Sequence, residues 1–115
     1  MEEIKLISEP ISLQELTIIA QDFFGDFVKA VVDVEKEIMA ISGELHSDEE
    51  AVLLNLDSAQ KNLWGINIYP LKSRDEWIEF DSIINLRPSA GNMSRNVEDE
   101  NIQNKIRRIV GKLIL

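Results

Sequence analysis

The chain of 115 residues contains no cysteine, one histidine and three prolines, and aromatic residues make up 6% of it. The lack of cysteine excludes disulfides and thiolate metal sites, and it is compatible with a reducing compartment. A single histidine outside a His-Glu-x-x-His pattern argues against a zinc site. No glycine-rich loop of the dinucleotide or P-loop type occurs, so we expect neither zinc, haem nor a dinucleotide as a cofactor.

Long hydrophobic runs are missing as well. No segment approaches the ~20 consecutive apolar residues that a membrane helix needs. Residues 1–8 have neither the basic region nor the long apolar stretch of a signal peptide. We therefore expect a cytoplasmic protein without membrane contact.

Basic side chains are scarce in the first half of the chain. Residues 1–60 carry 14 acidic and 3 basic side chains, residues 61–115 carry 7 acidic and 9 basic ones, and the net charge is −9. An acidic surface opposes nonspecific binding to phosphate backbones, so broad nucleic-acid binding is not expected. The asymmetry permits contact between opposite charges on two copies of the chain, and we expect a homodimer.

Apolar residues make up 44% of the chain, and no linker or repeat divides it, so we expect one domain over residues 1–115. Ser12 and Glu15 match a capping box, and Gly25 can supply a left-handed stop, which together predict a helix over 12–24. A stripe of isoleucine, valine and leucine at helical spacing over residues 102–114 predicts a second long helix.

The remaining elements follow from apolar alternation at the two-residue period of a strand. Strands are predicted over 27–34, 37–45, 63–70 and 77–87, and a capping-box pattern at Ser47 predicts a short helix over 51–54. Short connections favour antiparallel pairing. The order α-β-β-α-β-β-α therefore predicts an α+β fold, in which a four-stranded, mainly antiparallel sheet carries the two long helices on one face.

The fourth predicted strand has a polar face. This polar row consists of Glu79, Asp81, Asn85 and Arg87, extended by Asn67 and Asp33 on neighbouring strands. Carboxylate oxygens suit Mg²⁺ or Ca²⁺, so Glu79 and Asp81 are candidate metal ligands. An arginine within the row argues against a cation there. The alternative is that Arg87 pairs with a carboxylate on an adjacent strand and that the row is a solvated or dimer-facing surface.

Two further candidates lie outside this row. The loop over residues 88–95 contains Ser89 and Gly91, and its Ser94 and Arg95 are candidates for binding a phosphate or carboxylate, although acidic residues 98–100 oppose an anion there. His46 precedes a run of serine and carboxylates. It is a candidate general base or ligand, and the alternative is a histidine that packs beside the short helix.

Five segments carry a resemblance to a known family. They are residues 30–41, Gly43–Glu50, Leu63–Pro70, Glu79–Pro88 and Gly91–Arg95. Together they resemble an uncharacterised family of small bacterial proteins, a domain of unknown function. The resemblance spans nearly the whole chain and implies a stand-alone bacterial domain of this size, but it implies no activity and no catalytic residue.

Two functions remain open from these observations. The first is a binding or regulatory module that self-associates through the sheet face or an edge strand. The second is a small hydrolase of phosphorylated or nucleotide substrates, with His46, Glu79, Asp81, Asn85 and Arg87 as catalytic candidates. In that hypothesis the carboxylates hold a cation or act as base, and the guanidinium neutralises developing charge. Convergence of these side chains in one pocket would favour the enzyme.

Overall fold

The computed structural model describes residues 4–115. Its helices and strands, in chain order, are β1 (Lys5–Ile7), α1 (Leu13–Phe23), β2 (Val28–Asp33), β3 (Ile38–Ile41), α2 (His46–Asn55), β4 (Leu63–Ile68), β5 (Ile78–Glu79) and α3 (Glu100–Leu113). The strands form one antiparallel sheet in the order β1-β3-β2-β4-β5. The α+β class is therefore confirmed, with five strands where four were predicted. In this part of the chain no helix has the length and apolarity to cross a membrane.

Both faces of the sheet are covered. On one face α1 and α3 pack against Val28, Ala30 and Val32 of β2 and their neighbours in a single apolar core. On the other face α2 contributes Leu53 to a smaller cluster with Val31 of β2. Alternate residues of β2 thus point into two cores, which explains why this strand is buried along most of its length.

The two long helices begin and end where local chemistry predicts. Ser12 Oγ accepts the Glu15 N–H at 3.0 Å at the start of α1, and Gly25 adopts φ +92° just beyond its end. Asp99 caps α3 by accepting the Asn101 N–H at 2.8 Å. Side-chain caps of this kind typically contribute about 1 kcal/mol each to helix stability.

The predicted short helix over 51–54 is longer than expected. It extends as α2 from His46 to Asn55, with Leu45 as N-cap and no side-chain cap hydrogen bond. Ser47 therefore lies inside the helix, and its predicted role as N-cap is wrong. The preceding strand correspondingly ends at Ile41 rather than Leu45. Strand β1 was not predicted, because its three residues are too few to show alternation.

The predicted strand over 77–87 is wrong beyond Glu79, where β5 ends. The chain then forms a 3₁₀ turn over Ile83–Asn85, and Ser82 caps this turn by accepting the Ile84 N–H at 3.3 Å. Serine and asparagine side chains compete with strand pairing by binding backbone groups locally. The apolar alternation of this segment matched a strand, but the turn buries Ser82 and Asn85 and leaves Ile83 and Leu86 exposed.

The edge of β4 that β5 leaves open is paired by one side chain. Asn85 Oδ1 accepts the Gly65 N–H at 2.8 Å, and Asn85 Nδ2 donates to the Gly65 carbonyl at 2.9 Å. The carboxamide thus replaces the peptide group of a neighbouring strand. Ser82 packs so close to this point that a Cβ on Gly65 would lie 2.6 Å from its Cβ and Oγ.

We expect Gly65→Ala to destabilise the protein by about 1–3 kcal/mol, the usual cost of inserting a methyl group into a packed site. Gly111→Ala is the matched control, because a Cβ there meets nothing within 4 Å. That change should instead stabilise α3 by up to about 1 kcal/mol through helix propensity. Urea unfolding followed by circular dichroism measures both. Equal stability of Gly65→Ala and the parent would contradict the packing at this edge.

Candidate functional site

The residues of the polar row do not share one face. Asn85 is fully buried at the edge of β4, whereas Glu79 is exposed on β5. Arg87 turns to the far end of β4, where Nη2 donates to the Leu63 carbonyl. The strand that was expected to align these groups ends too early. Asp33, the proposed extension on β2, accepts the Ser58 hydroxyl and two N–H groups of the following turn.

Glu79 takes part in a hydrogen-bond network with β4. Asn67 Nδ2 donates to Glu79 Oε1 at 2.8 Å, and the Tyr69 hydroxyl donates to the same oxygen at 3.2 Å. Burial and the neighbouring Glu79 carboxylate raise the pKa of Tyr69. Asp81 is engaged separately, since Arg95 Nε donates to its Oδ1 at 2.6 Å across an exposed pair.

These pairings give no support to a Mg²⁺ site at Glu79 and Asp81. Each carboxylate already binds a donor of the protein. Within residues 4–115 no group of three or more histidine, aspartate or glutamate side chains is placed to hold a metal ion.

His46 is the first residue of α2 and is buried. Its Nε2 lies 2.7 Å from the Ile66 carbonyl, which can only accept, so Nε2 carries the proton and Nδ1 the lone pair. Burial lowers the pKa of His46. The positive charges of Lys29 and Arg95 lower this pKa further, whereas the hydrogen bond to Ile66 and the charge of Asp81 oppose the shift. The net effect, in which burial is the largest cause, favours the neutral ring.

The loop predicted to bind an anion binds a carboxylate of the protein itself. The Met93 N–H and the Ser94 hydroxyl both donate to Glu98 Oε2, at 3.1 and 2.6 Å. These hydrogen bonds lower the pKa of Glu98. Ser94 and Arg95 are thus both engaged with internal carboxylates. Asn92 organises the loop by binding its backbone, through hydrogen bonds to the carbonyls of Asn85 and Asn96.

Arg87 instead borders a cavity of about 510 Å³, here called the Trp64–Arg87 cavity. It is lined by Lys61, Trp64, Arg87, Ala90, Gly91, Asn92, Glu98, Asp99 and Ile102. The guanidinium lies over the indole ring, with Cζ 4.6 Å from the centroid, and Glu50 Oε2 is 3.8 Å from Nη2. Arg87 Nη1 makes no hydrogen bond within residues 4–115, so it remains available to a ligand.

Both signs of charge meet in this cavity. Lys61 and Arg87 supply cationic groups, while Glu98 and Asp99 supply carboxylates. One oxygen of each carboxylate is bound by the protein, and the described residues provide no hydrogen bond to the other. Sequence analysis missed Lys61 and Glu98 as site residues. They are 37 positions apart, and no motif spacing connects them.

Among the carboxylates of α2, Glu49 is fully buried. Its Oε2 accepts the Gly43 N–H at 2.9 Å, whereas Oε1 has no partner in the described part of the chain. Burial raises the pKa of Glu49 well above its ordinary value, against the opposing effects of the Gly43 hydrogen bond and Lys29. Burial in this setting favours the protonated form of the carboxyl group in the folded protein.

We expect Glu49→Gln to flatten the pH dependence of stability. The folded protein holds the Glu49 proton more tightly than the unfolded chain does, so the parent loses stability as pH rises above 4.5, by about 1.4 kcal/mol per unit of pKa difference. Glutamine mimics the protonated acid. The free energy of unfolding of the variant, relative to that of the parent, should therefore rise from pH 4 to pH 8. Urea unfolding across that range measures the gain, with exposed Glu44→Gln as control. Parallel pH profiles of the variant and the parent would contradict a protonated Glu49.

Comparison with known proteins gives a single result. No curated protein and no solved structure matches the chain. Residues 5–113 match a family model described as a protein of unknown function, DUF5674. Since the match covers nearly the whole chain, the protein belongs to this family of unknown function.

Proposed function

We propose that the protein is a binding module for a small zwitterion, such as a free amino acid, and that the Trp64–Arg87 cavity is its site. The observation that carries the proposal is the presence of cationic and anionic side chains around one cavity of about 510 Å³. Cavities of roughly 300–1,000 Å³ are usual for small-molecule sites. A ligand with both charges would find a partner for each.

The carboxylate of the ligand would bind at Arg87 and Lys61. Arg87 is held in place by the Trp64 ring and by its hydrogen bond to the Leu63 carbonyl, so little side-chain entropy would be lost on binding. Its unused Nη1 supplies a charge-assisted donor. Such hydrogen bonds are about twice as strong as those between neutral groups.

The ammonium group of the ligand would bind at the carboxylates of Glu98 and Asp99. Glu98 is fixed by the Ser94 hydroxyl and the Met93 N–H, which leaves Oε1 to accept from a ligand. Asp99 is likewise fixed as the cap of α3. Ile102 adds apolar contact for a side chain of the ligand.

Binding is supported over hydrolysis by the positions of the catalytic candidates. Asn85 is used to pair the edge of β4, and His46 binds a backbone carbonyl. Glu79 and Asp81 are bound by Asn67 and Arg95. Of the five catalytic candidates, Arg87 is the one that lines the proposed cavity.

Fluorescence of a Trp77→Phe variant tests the proposal, because Trp64 is then the remaining tryptophan. Glycine, leucine and phenylalanine are each titrated into the variant. Each is compared with its N-acetyl derivative, which keeps only the carboxylate charge, and with its amide, which keeps only the ammonium charge. At least one free amino acid should bind about tenfold more tightly than either derivative, since each derivative loses a charged hydrogen bond. Lys61→Gln and Glu98→Gln should each weaken it, and Lys72→Gln outside the cavity should not. If no free amino acid binds, or if the derivatives bind equally well, the proposal fails.

Self-association is a second candidate, because β1 forms an edge of the sheet. Within residues 4–115 it pairs with β3 alone, and its Leu6 side chain is 43% exposed. An exposed edge strand is a ready template for pairing with another chain. We propose a homodimer in which two β1 strands pair.

Light scattering tests the dimer. The parent should be dimeric and Leu6→Glu monomeric, because two like charges would face each other across the paired strands. Leu71→Glu, at an exposed position between β4 and β5 at the opposite side of the sheet, should remain dimeric. A monomeric parent, or equal dissociation of both variants, would rule out this interface.

A further inference from the structure

A second cavity lies between α3 and the segment that joins β4 to β5. Its volume is about 440 Å³, and its lining consists of Arg74, Trp77, Arg107, Gly111, Ile114 and Leu115. Two guanidinium groups line it and no acidic side chain does. In a chain of net charge −9, this is a local excess of positive charge.

The two arginines are held by uncharged partners. Arg74 lies over the Trp77 ring, with Cζ 4.0 Å from the centroid, and its Nη1 donates to the Ile114 carbonyl at 3.3 Å. Arg107 donates to the side chain of Asn104 at 3.0 Å. Neither guanidinium forms a salt bridge within the described residues. Their charges are therefore oriented but not neutralised.

A glycine in α3, Gly111, also lines the cavity. It lies inside α3, where glycine costs up to about 1 kcal/mol relative to alanine. A Cβ at this position would meet no atom within 4 Å, so no contact in the described protein requires glycine. The missing side chain instead leaves room in the cavity beside the two arginines.

The two residues after α3 pair with the backbone that precedes α1. The Leu115 N–H donates to the Ile11 carbonyl, and the Leu115 carbonyl accepts the Leu13 N–H, each at 2.9 Å. This segment is thus bound at the start of α1. Leu115, which is 70% exposed, contributes apolar surface to the cavity, whereas Ile114 is buried and contributes the carbonyl that binds Arg74.

We infer that this cavity is a second ligand site, which binds an oxyanion carried on an apolar or aromatic body. A carboxylate or phosphate would accept charge-assisted hydrogen bonds from Arg74 and Arg107. The apolar part of the ligand would lie against Leu115, in the space that Gly111 leaves. The site is separate from the Trp64–Arg87 cavity and does not depend on the function proposed for it.

Fluorescence of a Trp64→Phe variant tests the inference, since Trp77 is then the reporting residue. The probes are benzoate, phenyl phosphate and benzylamine. They present a carboxylate, a phosphate and a cation, respectively, on a phenyl ring. At least one oxyanion probe should give a saturable change, and benzylamine none. The comparison of benzoate with phenyl phosphate identifies the preferred group. Should the variant not fold, the Trp77 indole N–H signal in nuclear magnetic resonance spectra of the parent gives the same readout.

Three variants distinguish a specific binding site from nonspecific electrostatic attraction of the probe to positive charge. Arg107→Gln should weaken binding about tenfold, the loss expected for one charged hydrogen bond. Gly111→Leu should abolish binding by filling the cavity while it retains the helix. Arg108→Gln removes the same charge from α3 outside the cavity lining and should change affinity less than twofold. Absence of binding by both oxyanions, or equal weakening by the two charge variants, would overturn the inference.

Discussion

The hydrogen bonds between the Asn85 carboxamide and the Gly65 backbone determine the course of the chain around the candidate site. They satisfy the edge of β4 with one side chain, so the backbone is free to leave the sheet after Glu79. A buried strand edge without such a partner would leave an N–H and a carbonyl unpaired, at about 1–3 kcal/mol each. Asn85 also donates to the Arg95 carbonyl, which ties the returning loop to the same point.

This constraint also brings the groups of the Trp64–Arg87 cavity together. Because the chain turns at Ile83–Asn85 instead of continuing as a strand, Arg87 lies at the start of β4, where its Nη2 donates to the Leu63 carbonyl. The loop then returns through Asn92, whose Oδ1 accepts the Glu98 N–H at 3.0 Å. The cavity walls therefore come from two regions that are distant in sequence: the start of β4, and residues 87–102, which comprise the loop and the start of α3.

Sequence patterns predicted the elements whose determinants are local. The cap at Ser12, the stop at Gly25 and the apolar stripe of α3 act within one or two turns, and the structure has each of them. The segment after Glu79 depends on a partner 20 positions earlier in the chain, Gly65, and period-two alternation carries no information about such a contact. The same limit applies to the candidate site. The sequence drew attention to residues 79–95, but which of their polar groups bind the protein and which face a cavity is decided by tertiary contacts.

In both proposed cavities an arginine lies over a tryptophan ring. This contact preorganises the guanidinium for binding a ligand. A guanidinium over an indole face is attracted by the ring and restricted in its rotamers, while its edge nitrogens can still donate. A flexible cation on an acidic surface would pair with the nearest carboxylate, as Lys112 and Arg95 do with Glu37 and Asp81. Arg74 lies over Trp77 without such a pairing, whereas Arg87 lies over Trp64 and also has Glu50 Oε2 3.8 Å from its Nη2. In a protein of net charge −9, stacking on tryptophan fixes the direction of these two cationic groups toward a ligand.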